Sequence, residues 1–316
     1  MTTYSPDKIR NVAIVGHGGS GKTTLLEQLL FASKSVDRLG SVDQGNSHGD
    51  FDPIEIKRKI SLGMSVFPVE WKGHKINIID VPGFPDFIGD LHGVAKVVEA
   101  MIVVVPAQDS LEVGFDNAWE IAEAEGLSRL IFVNKLERDN ADFSGLIKAL
   151  DNRFGNKAVP LQVPIGSQAD FRGVLDLVDM KVHSGHGQEE EVSEPPSEVL
   201  AEVEQAREKM MDAAAEGDDD LAMKYLEGEQ LTEEEVVHGL EVGVASGRVF
   251  PILVGSAASG IGIASLLDRI VGAIPSPAEK PKVFGGHEIV ADAAGAMTGF
   301  VFKTTADPYV GRINYV

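Results

Sequence analysis

A chain of 316 residues, 43% of them apolar, is long enough for one large or two ordinary domains with full cores. The absence of cysteine excludes disulfides, thiolate nucleophiles and thiolate metal sites. A net charge of −21 argues against a nucleic-acid coat that works by neutralising phosphates. The polar start of the chain holds no signal-peptide core, and the longest apolar run, 101–107, is too short to span a bilayer. A soluble, cytoplasmic protein is expected, with no membrane partner and no sequence-specific nucleic acid.

The run 9–15 reads as a buried strand that leads through glycine-rich sequence into a helix over about 21–32. Between them lies Gly16-His17-Gly18-Gly19-Ser20-Gly21-Lys22-Thr23, which fits G-x-x-x-x-G-K-[ST]. The glycines let the backbone wrap an anion, and the helix adds its positive end. In such a loop the lysine, Lys22, reaches the β- and γ-phosphates and the Thr23 hydroxyl binds Mg²⁺. This motif alone implies a purine nucleoside triphosphate.

Runs 64–71 and 74–80, joined by Lys72-Gly73, predict a β-hairpin. The second run ends in Asp80-Val81-Pro82-Gly83. A carboxylate there, on the same sheet edge as the first loop, can hold Mg²⁺ through water, and the Gly83 N–H can reach a γ-phosphate. Further strands are expected at 100–105, 130–133 and 250–254, with helices at 111–125, 143–153 and 261–273. Strands alternating with helices imply an α/β fold, a mostly parallel sheet covered on both faces. Asn134-Lys135-Leu136-Glu137 follows one strand and Gly255-Ser256-Ala257 another.

The stretch from about 163 to 247 breaks the alternation and is read as an inserted, mostly helical, acidic subdomain. Residues 184–241 hold 19 Asp and Glu against 3 Lys and Arg. Such a run is either a solvated helical face or a surface for a basic partner. Thr232-Glu233-Glu234-Glu235 has capping-box spacing. After Pro275-Ser276-Pro277 comes a linker and then strand-like sequence, with a turn expected at 306–308. The chain stops inside a strand pattern, and a lone hairpin is not a stable sheet. The expected layout is a phosphate-loop domain over 1–280, and a linker with the first strands of a second domain over 281–316.

With these four motifs in this order, the chain resembles the translational GTPases. Asn11-Val12-Ala13-Ile14-Val15, Ala141-Asp142-Phe143 and Asp307-Pro308-Tyr309-Val310-Gly311-Arg312 extend the likeness to the elongation factor G family over the whole chain, as an N-terminal fragment. The loop 16–24 and Lys57-Arg58-Lys59-Ile60-Ser61 resemble its elongation factor G-like branch. The resemblance implies a P-loop GTPase fold followed by a β-barrel domain. It implies GTP or GDP with Mg²⁺ as ligands, held by residues 16–23 and Thr24, and the ribosome as partner. It also implies that the acidic subdomain meets the ribosomal stalk protein. Ser61 stands where the family has a threonine that ligates Mg²⁺ and senses the γ-phosphate. Asn134 and Lys135 should frame the guanine ring, and Ser256 and Ala257 should meet its O6 edge through their backbone.

Three positions depart from the family pattern. Phe84 stands where the family has the histidine that positions the attacking water, and a phenyl ring makes no conventional hydrogen bond. Loss of such a group costs ~10²–10⁴ in rate. Glu137 replaces the aspartate that reads the guanine N1 and N2 groups, and its extra methylene shifts the carboxylate. Gly19 replaces an aspartate, removing a ligand for an extra monovalent cation. Two readings follow: a ribosome-stimulated GTPase with weak intrinsic hydrolysis, or a nucleotide-binding switch with little or no hydrolysis. An ATPase would leave Asn134-Lys135 and Ser256-Ala257 without a purpose.

Overall fold

The computed structural model describes residues 3–108, 110–186, 189–292, 294–307 and 311–316. Its central sheet follows from strand β1 (Ile9–Val15). Val12 and Ile14 enter one core, and Ala13 and Val15 enter the other. A strand buried on both faces must be apolar at both parities, which is why the run is continuous. Helix α1 (Lys22–Ala32) follows, then a long loop that contains the short helix α2 (Pro53–Arg58). Strands β2 (Ser65–Trp71) and β3 (His74–Asp80) form the hairpin, which turns through Lys72 at φ 44° and Gly73 at φ 76°. Positive φ at both loop positions matches the twist of the flanking strands.

The alternation then runs α3 (Ile88–Ala95), β4 (Ala100–Pro106), α4 (Val113–Ala124), β5 (Ser128–Asn134), α5 (Phe143–Phe154) and β6 (Ala158–Pro160). Asp142 caps α5 by accepting from Gly145 N at 2.8 Å. Phe115 stacks on Trp119 at 5.2 Å between centroids, packing against Phe154 and Phe250 as part of the second core.

The segment expected to be mostly helical begins differently. It opens as an antiparallel meander, β7 (Gln162–Ile165), β8 (Gly173–Asp176), β9 (Lys181–His186) and β10 (Glu189–Ser193). Strands β7 and β8 hold only four residues each, and β9 and β10 carry one apolar residue apiece, Val182 and Val192, so no alternation shows. Helices begin only with α6 (Ser197–Ala215), followed by α7 (Asp219–Leu226) and α8 (Glu233–Ala245). The Thr232–Glu235 capping box forms as read. Arg269 grips Asp176 with two contacts of 2.7 Å, and Gln162 bridges Asp176 and Val254 N, so the insert is bonded to the core sheet.

Strand β11 (Phe250–Val254) and helix α9 (Ile263–Ala273) complete the layer. The seven-stranded sheet has the order β2-β3-β1-β4-β5-β11-β6, with only β2 antiparallel. Two hairpins follow, β12 (Lys282–Phe284) with β13 (His287–Ile289), and β14 (Lys303–Asp307) with β15 (Gly311–Tyr315). Of the turn expected at 306–308, Ala306 and Asp307 belong to β14, and residue 308 lies outside the described residues. No helix among the described residues is long and apolar enough to cross a membrane.

Candidate nucleotide site

Because β1, β3, β5 and β11 run parallel, their C-terminal ends share one edge of the sheet. The loops after these strands carry the four motifs, so residues far apart in sequence meet there. A cleft of about 310 Å³ is lined by Gly18, Gly19, Gly21, Lys22, Thr23 and Thr24, with Asp50, Ser61, Gly83, Phe84 and Lys135 opposite. A larger groove of about 960 Å³ lies between α5 and helices α6 and α7, away from the glycine loop.

Lys22 is buried, with its Nζ donating to Gly16 O at 3.0 Å and His17 O at 2.7 Å. Burial pulls its ammonium down to about 8, against the attraction of Asp80. Burial likewise pushes the Asp80 carboxyl up to about 7, against Lys22 and the Thr23 hydroxyl. Gly83 passes so close to the glycine loop that a Cβ there would sit 2.7 Å from Gly16 O and 2.8 Å from Gly18 N, so only glycine fits. Gly21, at φ 96°, caps α1, and a Cβ on it would strike Asn134 Nδ2 at 2.4 Å.

Asn134 is a strut between loops. Its Nδ2 donates to Ser20 O at 2.9 Å, and its Oδ1 accepts from Ala257 N at 2.9 Å. Lys135, at φ 66°, lays its side chain over the glycine loop and donates to Gly19 O at 2.5 Å. Gln28 on α1 donates to Ala257 O at 2.9 Å. Thr23 Oγ1 donates to Asp80 Oδ2 at 2.8 Å and lies 3.1 Å from Ser61 Oγ, which donates to Asp50 Oδ1 at 2.7 Å. Two hydroxyls and two carboxylates thus converge, a donor set suited to a hard divalent cation. Among the described residues no group of three or more His, Cys, Asp or Glu could hold a metal by itself.

The sequence profile of the family described as "Elongation factor Tu GTP binding domain" matches residues 7–276. The chain belongs to this family. Elongation factor G of Thermotoga petrophila is 37% identical to it over 98% of the chain and 46% of the relative's length. Elongation factor G of Thermotoga sp. strain RQ2 is 36% identical over the same shares. A solved structure from Thermus thermophilus superposes with a TM-score of 0.86 at 32% identity, covering 98% of this chain and 45% of that one. The chain therefore spans about half the length of the curated relatives it matches.

The GTP-binding family's ligand fits the site. Three oxygens are buried with no partner among the described residues: Ser20 Oγ, Asp80 Oδ1 and Glu137 Oε2. Ser20 belongs to the glycine loop, Asp80 ends β3 and Glu137 lies in the loop after β5, three segments on this sheet edge that carry the sequence motifs for GTP or GDP with Mg²⁺.

Four of the predicted residues make contacts within the protein. The Ser256 N–H donates to Ile261 O at 3.0 Å and that of Ala257 to Asn134, so both are engaged inside the protein and hold the loop's shape. His17 turns toward the start of α4, where its Nδ1 accepts from Gly114 N at 3.4 Å. The ring of Phe84 lies against Gly18, 2.9 Å from where a Cβ would stand. Asp50 and Glu27 escaped sequence reasoning. Asp50 lies in an aperiodic loop, and Glu27 sits inside a helix where a carboxylate ordinarily faces water.

Proposed function

We propose that this chain is the GTP- and GDP-binding part of a ribosome-associated translation factor whose own hydrolysis is weak. The observation that carries the reading is the convergence of Lys22, Thr23, Ser61, Asp80 and Gly83 on one cleft, beside the strut Asn134. Lys22 would neutralise the β- and γ-phosphates, and the Gly83 N–H would bond the γ-phosphate. The Thr23 and Ser61 hydroxyls would ligate Mg²⁺, with Asp80 acting through water. Mg²⁺, when bound, would supply positive charge that neutralises part of the triphosphate. Lys135 would flank the base, and Glu137 would accept from its N1 and N2 groups.

Phe84 supports the weak-hydrolysis part. Its ring packs on Gly18, is 37% exposed, and offers no group to orient a water. The same observation favours a second reading, a switch that holds nucleotide and orders Ser61 and Gly83 without turnover. The acidic insert is the surface we assign to a basic region of the ribosomal stalk. The deciding experiment is GTP turnover with and without ribosomes, with ATP as competitor, on the full chain. GTP binding that ATP does not displace, with slow turnover that ribosomes accelerate, supports the GTPase. Binding without acceleration supports the switch. Equal displacement by ATP overturns both.

A further inference from the structure

Glu27 is a carboxylate with 1% exposure, one helical turn beyond Thr23 on the same face of α1. A charge so buried is costly unless it is fully hydrogen-bonded. Its partners all come from one loop. Oε1 accepts from Ser47 Oγ at 2.7 Å, His48 N at 2.5 Å and Gly49 N at 3.4 Å. Oε2 accepts from Gly40 N at 3.1 Å and lies 2.8 Å from His48 Nδ1. Gly40 comes so close that a Cβ on it would be 2.4 Å from Oε2. Burial alone would raise this carboxyl, and the bonds from His48 and Ser47 outweigh it, so it sits below its ordinary value.

The next residue after this anchored stretch is Asp50, whose Oδ1 receives the Ser61 hydroxyl. Ser61 in turn lies beside Thr23. A second carboxylate fastens the other side: Glu55 accepts from Asp52 N at 3.1 Å, Leu62 N at 2.8 Å and Gly63 N at 3.2 Å. The loop that delivers Ser61 is thus referenced to the helix that carries Lys22 and Thr23.

We infer that Glu27, with Ser47 and His48 as its side-chain partners, is a positioning residue that seats the Ser61 loop for a triphosphate and so sets the preference between GTP and GDP. This rests on the reading of the cleft as a GTP site. A diphosphate is held by the glycine loop and Thr23, to which the Glu27 carboxylate makes no hydrogen bond. A triphosphate also needs Ser61 in place.

The test uses the full chain and its Glu27→Gln, His48→Leu and His48→Gln variants. GDP and a non-hydrolysable GTP analogue are titrated with Mg²⁺, and amide exchange is followed without nucleotide. Glu27→Gln lowers affinity for the GTP analogue about tenfold or more, the scale of a lost hydrogen bond to a charged group, and changes GDP affinity much less. Exchange at Gly40, His48 and Gly49 speeds up. His48→Leu gives the same pattern more weakly, and His48→Gln, which keeps a donor, restores it. If Glu27→Gln fails to fold, the partly exposed His48 variants decide. Equal loss of both nucleotides, or an unchanged ratio, overturns the inference. A parent chain that binds neither nucleotide overturns the GTP site itself, and the role of Glu27 with it.

Discussion

Replacing Asn134 with alanine tests how the base side of the cleft is joined to the phosphate side. The side chain is 2% exposed, and its two polar groups bond Ser20 O and Ala257 N, each at 2.9 Å. Truncation leaves a buried carbonyl and a buried N–H without partners. Each costs about 1–3 kcal/mol, so a stability loss of about 2–6 kcal/mol is expected, toward the low end if water enters the space. Ala257 is also held through its carbonyl by Gln28, so Asn134→Ala and Gln28→Ala should be non-additive. Urea unfolding of the single and double variants gives these energies, and GDP titration gives the functional cost. The glycine loop and the 255–257 loop lose their common strut, and affinity should fall about a hundredfold, close to 3 kcal/mol. A stability loss below about 1 kcal/mol, with GDP affinity intact, would show that the strands alone hold the loops and that the strut is dispensable.

Phe84→His should speed ribosome-dependent GTP turnover by ~10²–10⁴ with little effect on stability, because the ring is part-exposed; no acceleration would place the limit elsewhere. Glu99 is lifted to about 7 by burial, against the attraction of Lys282 and the bond from Asn11. A carboxyl raised in the fold favours its protonated form, so its destabilising effect is absent at low pH and grows as pH rises through 7. Glu99→Gln should therefore raise stability by about 1–3 kcal/mol at pH 8 and leave it unchanged near pH 4; equal shifts at both would refute the account. Glu137→Ala should abolish a preference for GDP over IDP, which lacks the 2-amino group, of about tenfold or more in the parent chain; retained preference would remove Glu137 from base reading.

The parts of this site that were legible in the sequence are those tied to strand ends. The loop 16–23 is contiguous, and each of its residue types answers a phosphate requirement. Asp80, Asn134 and Gly255 each follow an apolar run, and a parallel sheet brings such ends together. The hairpin was legible because Lys72-Gly73 is a two-residue turn between apolar runs. The meander β7 to β10 was not, because strands like Gly173–Asp176 hold too few residues to reveal a period. Glu27 and Asp50 were invisible for a different reason. Their importance lies in partners 11 to 22 residues away across an aperiodic loop, and a single acidic residue inside a helix ordinarily reads as surface.

The two halves of the cleft are built on different principles. On the strand-end side, each loop begins at a buried strand, and cross-links such as Asn134 and Gln28 bind it to its neighbours. On the Ser61 side, residues 40–63 are held by the carboxylates of Glu27 and Glu55, gathering backbone N–H groups that no sheet ladder satisfies. Anchors of this kind can be released one at a time, whereas a sheet edge cannot. The Ser61 side also connects outward. Met64, three residues on, gives its N–H to Asp90 of α3 at 3.0 Å, and its carbonyl receives Lys303 of β14. Helix α3 follows Phe84, and β14 belongs to the last hairpin. A displacement of Ser61 that carries Met64 with it must break or drag both bonds. The segment that would sense a third phosphate is thereby tied to the helix behind Phe84 and to the strand beyond the GTP-binding domain.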